Sequence, residues 1–201
     1  MTTTPPPLLA PIYLRRSTPN DGPALHAMLA RCTTDTLRAR FLATATVGRD
    51  GELAELVELV GDMSSATALE VYVDTVVRDG DHATVLAWQD GRVLAAGSLL
   101  PTAGATAEVA LLVEDLWQDK GLGGLFAAML AEVATVGGLD YLVAYLGTGN
   151  VRARALIRRF CPDARFLAPQ DGVIDVVIPV AAISTAACEQ HRIDSTGRWS
   201  Q

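Results

Sequence analysis

Cysteine, charge and long apolar runs are all scarce in this chain of 201 residues, and each shortage narrows what it does. The cysteines, Cys32, Cys161 and Cys188, are odd in number, far apart and without metal-ligand spacing. That pattern fits a reducing compartment, with the cytoplasm as the default, better than a disulfide framework, and it offers no metal site. Charged side chains make up only 19% of the chain and their balance is acidic, with a net charge of −7 and a pI near 4.9. Such a surface repels nucleic acid and anionic membranes. No stretch reaches the roughly 18 apolar residues needed to span a bilayer, and Met1–Pro11 lacks the basic start and apolar core of a signal peptide. The reading is a soluble protein with no nucleic-acid or membrane partner. Hydrophobic residues are abundant instead, at 50%. That suffices for one substantial core and is short for two independent domains.

Residues 1–11 carry a Thr/Pro run that cannot pack a core and read as a flexible arm outside the fold. Ile12–Arg16 has strand character, and the turn formers after it lead to Asp21 and Pro23, a capping residue and a proline just inside a helix start. Leu25, Met28, Leu29 and Cys32 recur at helical spacing. After a break at Thr33–Asp35, Leu37 and Phe41 begin a second helical face, and Leu53, Leu56, Val57 and Val60 predict another helix over 50–63. His82–Trp88 and Arg92–Leu100 are two β-type runs joined at Asp90-Gly91, a strong hairpin signal.

Thr106–Val113 predicts a further strand, which hands over to a helix at 122–136 closed by Gly137-Gly138. Tyr141–Leu146 is apolar throughout, as a strand buried on both faces is, and should lie parallel to Thr106–Val113. A helix opening near Asn150 carries Ala153, Leu156, Ile157 and Phe160 and stops at Pro162. Strands at 165–168 and 173–180, joined by Gln170-Asp171-Gly172, complete the pattern. The tail, 181–201, shows none, and there is no internal repeat.

The informative unit is the junction between the 106–113 strand and the helix after it, Val113-Glu-Asp-Leu-Trp-Gln118-Asp-Lys-Gly121-Leu-Gly123-Gly124. Glycines there bring bare backbone close to a ligand. The unpaired N–H groups of the first helical turn and the helix dipole favour an anion, phosphate or pyrophosphate. No Gly-Lys-Ser/Thr follows, which removes the nucleotide P-loop. Phe126 stands where the third glycine of a dinucleotide fingerprint belongs, and the strand follows an antiparallel hairpin instead of opening a βαβ unit.

What remains, Gln118-x-x-Gly121-x-Gly123, resembles the acetyl-CoA pyrophosphate loop of the GNAT superfamily. Ala107–Val113 ahead of Trp117-Gln118, and Thr34–Phe41 earlier, are similar to segments of the catalytic domain of bacterial Pat-type protein lysine acetyltransferases. The resemblance spans residues 12–180 in element order. It implies an α/β (α+β) GNAT fold, a mixed central sheet of about six to seven strands with helices on both faces.

It further implies an acetyl-CoA-dependent N-acetyltransferase that moves acetyl to a primary amine, a protein lysine or a small amine, by direct attack on the thioester. Backbone from Leu111, Leu112 and Val113 would line the pantetheine arm. Gln118, Asp119, Lys120, Gly121, Leu122, Gly123 and Gly124 would hold the pyrophosphate, and Asn150 would contact the cofactor's arm. Acetyl-CoA is the co-substrate, no metal is implied, and a homodimer stays open.

Glu108 is the candidate general base, since an amine must lose a proton to attack and burial among apolar neighbours raises a carboxyl toward the working range. A strand N–H from Val109 to Leu111 would stabilise the oxyanion. The chain departs from the family pattern at Ile157, where many members carry a tyrosine that protonates the leaving thiolate. Tyr141 and Tyr145, one strand earlier, read as poor substitutes. Arg152, Arg154, Arg158 and Arg159 read as a solvated helix face, with a contact to the CoA 3′-phosphate as the alternative, one for which Lys120 is the better candidate. The competing reading is a catalytically silent GNAT-like acyl-CoA-binding sensor or scaffold, and a nucleotide-binding protein is the third.

Overall fold

The computed structural model describes residues 11–41, 66–78, 80 and 82–184. Seven strands form one open mixed sheet: β1 (Tyr13–Arg16), β2 (Ala83–Gln89), β3 (Arg92–Pro101), β4 (Thr106–Val113), β5 (Tyr141–Gly147), β6 (Arg165–Phe166) and β7 (Val173–Pro179). Their spatial order is β1-β2-β3-β4-β5-β7-β6. Among the described residues five α-helices accompany them: α1 (Gly22–Leu29), α2 (Thr34–Phe41), α3 (Ala66–Val77), α4 (Leu122–Val136) and α5 (Val151–Phe160). The helix expected over 50–63 lies outside the described residues, as do Cys188, most of the N-terminal arm and most of the tail.

Alternation along the strands builds two hydrophobic layers. On one face Leu86, Val93 and Leu112 meet Leu25, Met28, Leu29, Phe41, Val73 and Val76 from α1, α2 and α3. On the other, Val85, Ala87 and Leu94 meet Leu122, Leu125 and Phe126 of α4. Farther along that face Leu130 and Ala134 cover Ala107, Leu142, Ala144, Ile174 and Val176. Helix α4 approaches the middle of the sheet because β3 offers Gly97: a Cβ there would stand 2.5 Å from Cδ1 of Phe126.

Both expected Asp-Gly turns form, with positive φ at each residue: Asp90 (50°) and Gly91 (73°), Asp171 (49°) and Gly172 (81°). Helix α4 closes as the paired glycines require, with Gly138 at φ 68°. Three details differ from the sequence reading. Asp21 precedes α1 but does not cap it; its carboxylate turns back to the Thr18 N–H (2.7 Å) and to Arg15 Nη1 (2.7 Å). The expected strand 165–168 ends at Phe166, because Pro169 has no N–H to continue the ladder. Strand β7 stops at Pro179, and Val180–Ala182 forms a short 3-10 turn, so the tail begins packed: the Ser184 N–H reaches the Phe160 carbonyl at 2.7 Å.

Candidate active site

The site begins where two parallel strands part. β4 and β5 pair over three residues only: Thr106 with Tyr141, Ala107 with Leu142, and Glu108 with Val143. Beyond that point each keeps its outer partner, β4 following β3 as far as Val113 and β5 following β7 as far as Gly147. The Glu114 N–H bonds the Leu94 carbonyl at 2.9 Å, and the Thr102 N–H bonds the Thr106 carbonyl at 2.9 Å, so the even-numbered residues of β4 turn their backbone toward β3. Antiparallel alternation then aims the C=O of Val109 and the N–H and C=O groups of Leu111 and Val113 into the gap.

A cleft of about 860 Å³ opens there, bordered by α2, the second half of β4, the loop before α4, β5 and the start of α5. Leu111, Leu112, Val113, Gln118, Asp119, Gly121, Gly123, Gly124 and Asn150 all border it; Glu108, Lys120 and Leu122 do not. Lys120 lies over the Trp117 ring at 4.9 Å, and the Leu122 side chain is buried under the sheet.

The loop at the cleft's mouth is held by its own side chains. Glu114 is buried and takes Arg31 Nη2 at 2.8 Å, with Arg92 at 3.8 Å. Asp115 accepts from the Thr33 N–H (2.8 Å), Thr33 Oγ1 (2.6 Å) and Thr36 Oγ1 (2.8 Å), which ties the loop to the start of α2. Gln118 donates Nε2 to Thr36 Oγ1 (2.9 Å) and to the Val113 carbonyl (3.0 Å), and its Oε1 accepts from Arg152 Nη1 at 2.6 Å. Both amide hydrogens and the oxygen are therefore in use, which makes this side chain a brace for the loop.

Asp119 (φ 58°) and Gly121 (φ 87°) take left-handed conformations, and no side chain caps α4. Its first-turn N–H groups face outward from an N-terminus of positive partial charge. A Cβ on Gly123 would make only ordinary contact, 3.5 Å from Leu156 Cδ2 and 3.9 Å from Leu111 Cδ2. Internal packing does not demand that glycine; the bare backbone beside the cleft is room for something else. The residues present thus fit an extended arm ending in a diphosphate.

Behind the wedge, on the face of α1 to α3, lies the ionisable part. Glu108 is 3% exposed and its Oε1 has no hydrogen-bond partner. Burial pushes its carboxyl up to about 7, against a smaller downward pull from Arg40. Arg40, 4% exposed, borders the cleft with its guanidinium 5.1 Å from the Tyr72 ring and 5.8 Å from the Phe41 ring, and its Nη1 is unpartnered. Tyr145, two residues beyond Val143 and so on the Glu108 face, is half-buried and also borders the cleft. Burial first, then the neighbouring Glu108 and Asp175 carboxylates, raise its hydroxyl above the usual range.

Three of these placements were not read from the sequence. Arg152 joins the cleft by bracing Gln118 and pairing with Asp119 at 3.1 Å while its side chain stays 67% exposed, so a solvated face and a place beside the loop hold together. Tyr145 reaches the cleft because β5 splays. Arg40 is buried three residues after Leu37, on the inward stripe of α2; an arginine at an apolar position of a helix was the available signal. Ile157 borders the cleft as expected and brings no hydroxyl. Asn150 caps α5, its Oδ1 accepting from the Ala153 N–H at 3.1 Å.

No protein-family model and no curated protein sequence matches the chain. Solved structures do. The GNAT domain of S. lividans PAT superposes with a TM-score of 0.62 at 20% identity, over 83% of this chain and 89% of that one. A GNAT-family acetyltransferase from Streptococcus pneumoniae gives 0.55 at 16% identity, over 84% and 98%. The PaiA N-acetyltransferase of Thermoplasma acidophilum, in complex with coenzyme A, gives 0.56 at 11% identity, over 84% and 98%. The protein has the GNAT fold.

Proposed function

We propose that residues 12–180 form an acetyl-CoA-dependent N-acetyltransferase that acetylates a primary amine. The observation that carries this reading is the wedge between β4 and β5. It exposes a strand edge at one end of which lies a glycine-rich helix N-terminus and at the other a buried carboxylate.

Each part has a task. The Val109–Val113 edge pairs with the amides of pantetheine as an added strand would. The loop Asp119–Gly124 and the first turn of α4 take the pyrophosphate through main-chain N–H groups, with Gln118 and Arg152 holding the loop in shape. At its raised pKa Glu108 is part ionised near neutrality, the condition in which a base both holds and releases a proton effectively. It removes the proton of the incoming ammonium directly or through one water. The N–H group of Leu111, beyond the last paired residues of β4 and β5, is available to stabilise negative charge on the thioester oxygen. Acetyl-CoA supplies the acyl group, and the departing thiolate takes its proton from water or from Tyr145.

The second reading, a silent acyl-CoA-binding module, draws support from two observations: Ile157 brings no hydroxyl, and Glu108 does not itself border the cleft. One experiment separates the two. Calorimetry with acetyl-CoA should show binding by the wild type and by Glu108→Gln alike. Only the wild type should release CoA with a panel of primary amines. Binding without release in the wild type establishes the silent module, and absence of binding removes both readings.

A further inference from the structure

Glu108 and Arg40 carry opposite charge and are each more than nine-tenths buried; Arg40 borders the cleft, and Glu108 lies just behind its neighbour Val109, which does. They are close enough for Arg40 to pull on the Glu108 carboxyl, yet they form no ion pair within 4 Å. Among the described residues each ends in a buried polar atom with no partner, Oε1 of Glu108 and Nη1 of Arg40. A buried charge without a partner is costly, and two such charges of opposite sign would ordinarily close on each other. Here both are held back. Glu108 is fixed on a central strand, and the Arg40 guanidinium is held against the Tyr72 and Phe41 rings.

The cofactor's phosphates do not account for Arg40. The anion-binding loop is tied to α2 at Thr36, through Gln118 and Asp115. Arg40 lies a helical turn beyond Thr36, about 6 Å along α2, on the wall that includes Val109, the residue next to Glu108. A guanidinium is a permanent cation whose flat fork matches a carboxylate. What satisfies both orphaned groups at once is one small dipolar molecule.

We propose that the acceptor is a free amino acid or a closely similar zwitterion, its carboxylate bound by Arg40 and its amine presented to Glu108. This rests on the transferase reading above and names its substrate class. An amine inside a protein chain, such as a lysine side chain, carries no carboxylate a few bonds from its nitrogen and leaves Arg40 unpaired.

The test compares free L-amino acids with their α-carboxamides, which keep the amine and lose the anion, against the protein loaded with CoA for binding and with acetyl-CoA for release of CoA. At least one amino acid should bind and react with kcat/KM about tenfold or more above its amide, as loss of a charge-assisted hydrogen-bonded pair predicts. In Arg40→Gln that acid-to-amide ratio should fall to near one, while acetyl-CoA affinity by calorimetry stays at the wild-type value. Arg40→Lys, which keeps the charge and loses the fork, should fall between. Should burial of the Gln variant lower its Tm too far for assay, the wild-type ratio and the Lys variant decide.

Amides as good as acids, no amino acid binding to the CoA-loaded protein, or a preference that survives in Arg40→Gln would each overturn the proposal. Turnover of a lysine-containing peptide in preference to free amino acids would do so as well. Those outcomes are separable from failure of the transferase reading, which would show as no acetyl-CoA binding, or as binding with no CoA release from any amine.

Discussion

The two ends of the cleft are built on opposite terms. At the loop end, Gln118 uses every hydrogen-bonding group of its amide, Asp115 accepts three hydrogen bonds, and Glu114 is closed by Arg31, whose Nε alone there lacks a partner among the described residues. At the Glu108 end, a carboxylate and a guanidinium are buried and each leaves an atom without a partner. A satisfied polar network fixes geometry; an unsatisfied one stores a demand for a ligand. The protein is rigid where a constant molecule would bind and incomplete where the chemistry and the choice of acceptor would fall.

The largest effect should come from the incomplete end. Glu108→Gln keeps shape and removes the proposed base. CoA release should fall by about a hundred- to ten-thousand-fold with the acetyl-CoA Kd unchanged by calorimetry. An equal loss of binding would mean that the two ends are not separable. The wild-type rate should climb as pH rises through about 7, where Glu108 loses its proton, and level off above it. The carboxyl of Glu108 faces Arg40, Tyr145 and, across the next strand pair, Asp175, and Arg40 is the one that draws its pKa down. Arg40→Gln should therefore move that limb to higher pH.

Folding stability follows the same group with a different sign. The folded pKa, about 7, stands above the ordinary value of 4.5, so the folded state binds the proton more tightly than the unfolded chain. The contribution is complete below 4.5 and is lost as pH climbs through about 7. Urea titrations of the wild type should show stability declining across that window by an amount on the order of 1–3 kcal/mol, and Glu108→Gln should flatten the decline. A slope that persists in the variant would place the proton elsewhere.

The two ends also differ in how far they could be read from the chain. Both Asp-Gly turns depend on neighbours within a few positions, and local spacing carried them; the loop was read from a family resemblance, and the parallel placement of β5 from its apolar run, although its partners in β4 lie far away along the chain. Glu108 was found because it interrupts an apolar strand. Arg40 was given no role at the cleft, Tyr145 was set aside as a poor proton donor and Arg152 was read first as a solvated face, because each acquires its place from a partner brought in by the fold. Thr36 and Gln118 stand 82 positions apart, and Arg152 and Gln118 stand 34 apart. Tyr145 is a strand residue like any other until β4 and β5 separate after Glu108 and Val143. A local pattern sees turns and strand faces; it does not see where two paired strands let go.

The rigid end should show intermediate effects. Gln118→Ala removes one partner each from the Val113 carbonyl, from Thr36, which keeps Asp115, and from Arg152, which keeps Asp119, and a lost brace of this kind costs about 1–3 kcal/mol. We expect a lower Tm and a weaker acetyl-CoA Kd, with little change in the pH limb set by Glu108. A shift in that limb would show that the loop controls the base after all.

Glu114 supplies the smallest and sharpest contrast, because its two arginines differ in geometry. Arg31 meets it at 2.8 Å and is largely buried, whereas Arg92 stands 3.8 Å away with a side chain 57% exposed. Arg31→Ala would strand a buried carboxylate and should destabilise by about 2–4 kcal/mol. Arg92→Ala removes a solvent-screened partner while Arg31 still neutralises the acid, and should cost under about 0.5 kcal/mol. Equal losses in urea unfolding would mean that Glu114 is held by net charge and not by one directed hydrogen bond. The loop would then owe its rigidity to the surrounding field, and the contrast between a satisfied and an incomplete end of the cleft would have to be redrawn.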